Sequence, residues 1–259
     1  MRSRVELVFG LVGPIGCPIH EASESLAATL KKMAYTPTTI SLSNEMDRLL
    51  TAKGISFVEA PTSVLHNKIK KGNAVREAFG NNAVLALEAI RQIVDYGRSA
   101  AAASGETDEA KLDERAVVPI DGHEFIIDQF KLPEELDLLV KAFGKRFVQV
   151  SVVTPLEQRK RSLTGRVRTE QLGWDNERCE QHADELIAID QNEKAEDRGQ
   201  LISKIFHLGD VFFDGTSEVP IGHSSQRFMK AFFGRSCVAP TSDEFGSYMA
   251  KAASLRSVD

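Results

Sequence analysis

Residues 5–20, VELVFGLVGPIGCPIH, place the strongest constraint on what this chain can fold into. Val5 to Val12 is mostly apolar with β-branched side chains, which suits a central strand covered on both faces. The run stops at Gly13-Pro14, and a helix opens from about Pro18, because proline is tolerated in a first helical turn. Buried strand, glycine-punctuated loop and helix are the frame of a phosphate-binding loop, G-x-x-x-x-G-K-[ST]. In such a loop the backbone N–H groups cradle phosphates, the Lys reaches the terminal phosphates and the hydroxyl holds Mg²⁺. Laid on that template, the sequence reads Gly13, Pro14, Ile15, Gly16, Cys17, Pro18, Ile19, His20. Pro18 stands for the second glycine, Ile19 for the lysine and His20 for the hydroxyl residue, so the cation and the metal anchor are both missing.

The rest of the chain repeats strand and helix. Ala22, Leu26, Leu30 and Met33 fall at helical spacing. Thr36 to Ser43 reads as a second strand, and Asn44 is placed to cap a short helix, NEMDRLL, which completes a βαβ unit. From Thr62 to about Ala103 the pattern is helical in two segments, broken near Gly80-Asn81-Asn82. Gly72-Asn73 inside the first segment costs about 1 kcal/mol against alanine. It marks a kink, a close approach, or a loop between two shorter helices. Residues 99–114, SAAAASGETDEAKLDE, have the small, acidic composition of an exposed linker. His123 to Ile127 and Phe147 to Val153 bracket a further strand–helix–strand, with Pro133 opening the helix and Gly144 ending it. A charged stretch from Glu157 to Gly199 precedes a last strand within Ile205 to Phe213, a helix near Ser225 to Phe233, and the start of another helix in TSDEFGSYMAKAASLRSVD. The expected fold is α/β: a P-loop kinase-like three-layer sandwich, with a mostly parallel sheet, helices on both faces and a helical insertion at about 62–103. Residues 1–240 form that domain and 241–259 begin a separate helix.

Composition narrows the partners. A formal charge of -5 over 259 residues argues against a protein that holds nucleic acid by global charge. Three separated cysteines outside any C-x-x-C pair suggest neither a disulfide framework nor a zinc finger. Without an apolar stretch of about 20 residues or a secretory h-region, a cytoplasmic location and no membrane association are expected.

Several residues are candidates for chemistry. Gly10-x-x-Gly13-x-x-Gly16 is not the dinucleotide fingerprint, and no acidic residue ends the second strand to take a ribose, which disfavours a Rossmann oxidoreductase. The loop Gly13 to His20 either offers N–H groups and a helix dipole to an anion or is a tight turn that binds nothing. Without Lys and Ser/Thr it is poorly fitted to phosphoryl transfer. Asp128 follows a strand, where a carboxylate would hold Mg²⁺ through water or cap the next turn. Arg159 and Arg161, with Arg166 and Arg168, sit where nucleotide kinases carry an arginine lid, or form a solvated helix face. Arg76 is a comparable candidate in the helical insertion.

Taken with the loop, the segments KKGNAVREAFGNNAVLALEAI, FIIDQFKLPEELDLL, IDQNEKAEDRGQLISKIFHLGDVFF and DEFGSYMAKAASLRSVD resemble the N-terminal domain of anti-phage deoxycytidylate (dCTP) deaminases. The similarity spans nearly the whole chain, and its most specific piece is the terminal A-x-x-A-S-L-R-S-x-D run. Members of that family join a P-loop kinase-like domain to a zinc deaminase that depletes deoxycytidine nucleotides. The deaminase motifs H-x-E and P-C-x-x-C are absent here, so zinc is expected only in that other domain. The resemblance implies a nucleotide-sensing module without catalysis of its own, a tethered deaminase and a homo-oligomer. An atypical nucleotide kinase and a non-binding oligomerisation domain are the alternatives.

Overall fold

The structure is a computed structural model and describes residues 4–192, 202–216, 220–234 and 237–254. The elements follow in the order β1 (Leu7–Val12), α1 (Ile19–Lys32), β2 (Thr36–Ser41), α2 (Leu42–Ala52), α3 (Val64–Phe79), α4 (Val84–Ala103), α5 (Glu109–Ala116), β3 (His123–Asp128), α6 (Pro133–Phe143) and β4 (Phe147–Val153). After them come α7 (Leu156–Glu170), α8 (Asn176–Asn192), α9 (Ile202–Ile205), β5 (Val211–Asp214), α10 (Gly222–Phe232) and α11 (Ser242–Ser254). The sheet has five strands in the order β2-β3-β1-β4-β5, and every neighbouring pair is parallel. β1 is therefore central, as its unbroken apolar run requires, and all six of its residues are buried.

Alternation along the strands builds two cores. Val8 and Val12 of β1, with Phe125 and Ile127 of β3, face α2, α4, α6 and α9. Leu7, Phe9 and Leu11, with Ile126 of β3 and Val148, Val150 and Val152 of β4, face Leu26 and Leu30 of α1 and Met229 of α10. The result is the expected three-layer arrangement. Gly10 is required inside β1 because a Cβ there would stand 2.5 Å from the ring of Phe130 and 2.7 Å from that of Phe147. A third cluster lies beyond the sheet: Ile69 of α3, Leu163 and Val167 of α7, and Cys179, Ala183, Leu186 and Ile187 of α8 close around Ile15.

Three sequence expectations change, and the open reading of Gly72 is decided. Residues 99–114 are not a linker throughout, because α4 runs to Ala103 and α5 packs on it through ion pairs of Arg98 with Glu109 and Asp113. Asn44 does not cap α2; Ser41 is the residue before the helix, which starts at Leu42. The last strand is confined to Val211–Asp214, since Ile202–Leu208 is helical. Gly72 lies within an uninterrupted α3, where a Cβ would stand 3.4 Å from the Met46 side chain, so the residue marks a close approach between α2 and α3. The break between the two helical segments falls at Gly80, which adopts φ 61° as the left-handed cap of α3. Residues 193–199 of the charged stretch and 255–259 of the terminal run lie outside the described residues.

A candidate nucleotide-binding cleft

Parallel α/β sheets bind ligands beyond the carboxyl ends of their strands. Here that end carries a cleft of about 900 Å³, within the range of small-molecule sites. Gly13 follows β1, and the whole loop from Pro14 to His20 lines the cleft. Ser41 from β2 and Asp128 from β3 are register partners at its edge, while Thr154 after β4 and Thr216 after β5 complete the strand side. Met46 of α2, Leu65 and Ile69 of α3 and Leu85 of α4 give the opposite wall an apolar surface.

The loop is held by hydrogen bonds to its own chain. Ile15 N–H donates to Asp190 Oδ2 at 2.6 Å, and Lys131 Nζ donates to Asp190 Oδ1 at 2.8 Å. Gln129 Nε2 and Lys131 Nζ also donate to the Gly13 carbonyl, at 3.0 and 3.3 Å. Cys17 N–H donates to the Pro14 carbonyl and Ile19 N–H to that of Cys17, while Pro18 has no N–H to offer. Asp190 is fully buried at the end of α8, one turn beyond Leu186. It joins the cluster that closes around Ile15, and Lys131 neutralises its charge. The N–H groups of Ile15, Cys17 and Ile19, which a working phosphate loop would leave for its ligand, are thus already matched to protein acceptors.

Two backbone features hold this shape. Gly16 adopts φ 87°, and a Cβ there would stand 2.9 Å from the backbone oxygen of Arg159, so the loop and α7 approach as closely as glycine permits. Gln129, at φ 62°, turns the chain sharply after Asp128 at a cost of roughly 1 kcal/mol and brings its amide to Gly13.

The sequence candidates separate into three groups. Pro14 to His20, Asp128 and Arg76 share the cleft, while Gly13 lies just before its lining. Asp128 is half-buried, and burial pushes its carboxyl above the ordinary range, offset in part by His20 and Lys68. Burial likewise raises the Cys17 thiol, against the hydrogen bond from Thr154 and the charges of Arg159 and Lys131, which leaves it a poor nucleophile. Arg76 is buried and ion-paired at 3.0 Å with Glu135, whose other oxygen takes the N–H groups of Lys131 and Leu132. Arg159 is no lid: it is buried beneath the loop and donates to the Ile15 carbonyl at 3.3 Å. Arg161 is also absent from the cleft and lines a separate hollow between α7 and α8 with Lys160 and Arg168. The physical reason is helical phase, since Leu163 and Val167 turn to the core and carry Arg159 with them.

Sequence reading missed Lys68, Lys131 and Asp190. Asp190 had a signal, for it lies three, four and seven residues beyond Ile187, Leu186 and Ala183, on a face that otherwise buries apolar groups. Lys68 and Lys131 had none stronger than proximity to other candidates. Elsewhere, Ser63, His182 and Glu185 form a chain with hydrolase-like spacing, 2.8 Å from Ser63 Oγ to His182 Nε2 and 3.1 Å from His182 Nδ1 to Glu185 Oε2. Ser63 is fully buried and caps α3 by accepting from His66 N–H, so this chain joins α3 to α8 and has no route to a substrate. Among the described residues no group of three His, Cys, Asp or Glu side chains is arranged to hold a metal ion, and no helix is long and apolar enough to cross a membrane.

The sheet order, the loop after the central strand and the cleft at the carboxyl edge together define a P-loop kinase-like α/β architecture. No family model and no curated protein sequence matches the chain. Among solved structures, shikimate kinase from Bacteroides thetaiotaomicron aligns at 9% identity with a TM-score of 0.40, over 88% of this chain and 98% of its own. A gluconokinase from Sinorhizobium meliloti aligns at 11% identity with a TM-score of 0.35, over 89% of this chain and 98% of its own.

Proposed function

We propose that this chain is a nucleotide-sensing regulatory domain that binds its ligand in the carboxyl-edge cleft and transfers no phosphate. The observation that carries this reading is the pairing of a large cleft with a loop that lacks Lys and Ser/Thr and whose Ile15, Cys17 and Ile19 N–H groups are bonded within the protein. Charge neutralisation and metal anchoring are what phosphoryl transfer needs from such a loop. A cleft with an apolar wall and a rim of hydroxyls, amide and carboxyl suits recognition.

The resemblance of the sequence supports the finer part of the proposal. The module would regulate a zinc-dependent deoxycytidine nucleotide deaminase in anti-phage defence, attached in the same polypeptide, and would act in the cytoplasm as a homo-oligomer. Calorimetric titration with nucleoside triphosphates tests the first part: saturable binding without release or transfer of phosphate is expected, and no binding to any of them overturns it. Phosphate transfer to a nucleotide or small-molecule acceptor, abolished by Asp128→Ala, would make the domain a kinase instead. The second part stands or falls on a deaminase domain carrying H-x-E and P-C-x-x-C in the same reading frame.

A further inference from the structure

The cations of the cleft fall into two sets. Lys131 and Arg76 are bound to the buried carboxylates of Asp190 and Glu135. Lys68 of α3 and Arg166 of α7 line the same cleft and enter no ion pair among the described residues. Their placement follows from how the two helices are tied. Val64 N–H, at the start of α3, donates to Glu170 Oε2, at the end of α7, at 2.9 Å, and Gln171 Nε2 donates to the Thr62 carbonyl at 2.9 Å. Lys68 lies four residues after Val64 and Arg166 four before Glu170. Residues four apart share a helix face, so both side chains sit one turn from the tie. Ile69 and Val167, their chain neighbours, meet in the cluster around Ile15 and hold the two helices together beneath them.

The geometry points to an anion site between Lys68 and Arg166, displaced from the loop because Asp190 already occupies the Ile15 N–H. The ligand class is a nucleoside phosphate, its phosphates between the two helices and its ring against the apolar wall of α2 and α3. This rests on the reading of the cleft as a nucleotide site. Asp128 and Glu21 carry negative charge into the same cleft, which keeps the phosphates toward the α3–α7 side, away from the strand ends.

The test is calorimetry of the protein with ATP, dCTP and inorganic tripolyphosphate, repeated on Lys68→Ala, Arg166→Ala and the control Arg161→Ala. Both cations are exposed, so the alanine variants are expected to fold, and far-ultraviolet circular dichroism verifies this. Loss of one charge-assisted contact weakens the nucleotide that binds by about 10- to 100-fold in each cleft variant. Arg161→Ala is expected to stay within about threefold, since that side chain lies in the other hollow. Nucleotide binding that survives in both cleft variants overturns the displaced anion site and leaves the nucleotide-sensing reading standing. Equal weakening by Arg161→Ala also overturns it, because the effect would then be general charge. No binding of either nucleotide to the unmodified protein overturns both.

Discussion

Asp190 and Glu124, one toward each end of the sheet, are completely buried acidic side chains treated in opposite ways. At the carboxyl end Asp190 has both oxygens satisfied, one by a backbone N–H of the loop and one by Lys131. Toward the amino end Glu124 of β3 lies equally deep, and among the described residues neither of its oxygens has a hydrogen-bond partner. Burial pushes the Glu124 carboxyl up to about 8, and the charge of Arg4 works against this. A buried carboxylate is tolerable when it is paired and hydrogen-bonded and otherwise keeps its proton. Asp190 is thus tied to a cation and an N–H group of the loop, while burial holds Glu124 as a neutral acid. Where a phosphate loop would carry a lysine and a hydroxyl, this protein sets a carboxylate of its own against the loop.

Removing that anion should have the largest effect. Asp190→Ala leaves the Ile15 N–H without its acceptor and Lys131 without its counter-ion, and a loss of about 3–5 kcal/mol in urea unfolding is expected. A cost below about 1 kcal/mol would mean that Asp190 does not hold the loop. At the opposite end the sign reverses. Glu124 binds its proton more tightly folded than unfolded, so its contribution is intact below its ordinary value of 4.5 and is lost as pH rises toward about 8. Glu124→Gln should accordingly stabilise the protein by on the order of 2–4 kcal/mol at pH 8 and leave it nearly unchanged at pH 4. Equal effects at the two pH values would show that the carboxyl is not held neutral. Gly16→Ala probes the close approach of loop and α7, combining a left-handed φ with a contact at 2.9 Å, and should cost about 1–3 kcal/mol of stability. The smallest effect belongs to the cleft rim: Lys68→Ala and Arg166→Ala, exposed and outside any ion pair among the described residues, should each change stability by no more than about 0.5 kcal/mol. A larger change would place them with the framework and not with the ligand.

The regular parts of the fold were legible in advance. The apolar run of β1, the helix opened by Pro133 and closed at Gly144, and the split of the helical region at Gly80 all follow from short-range preferences that the chain satisfies locally. The short β5 and the packed α5 were less legible, because both depend on partners distant in sequence. Of the candidate site, the loop from Pro14 to His20 and Asp128 lie at the cleft, since strand ends and the turns after them converge in any parallel sheet. The arginine run of α7, open between a lid and a solvated face, is divided, with Arg166 at the cleft and Arg161 and Arg168 in the other hollow. A run of positive charge says nothing of which members face the core, and the apolar phase of α7 sent Arg159 under the loop and Arg161 to the far side.

By itself the sequence determined a strand, loop and helix in which Ile19 and His20 stand where a phosphate loop would carry a lysine and a hydroxyl. Only the tertiary structure decided what fills that gap. Ile15 and Asp190 are 175 residues apart, and no local preference links them. Their meeting depends on α8 packing its apolar face over the loop, which buries the carboxylate and obliges it to find a donor and a cation where the loop has them.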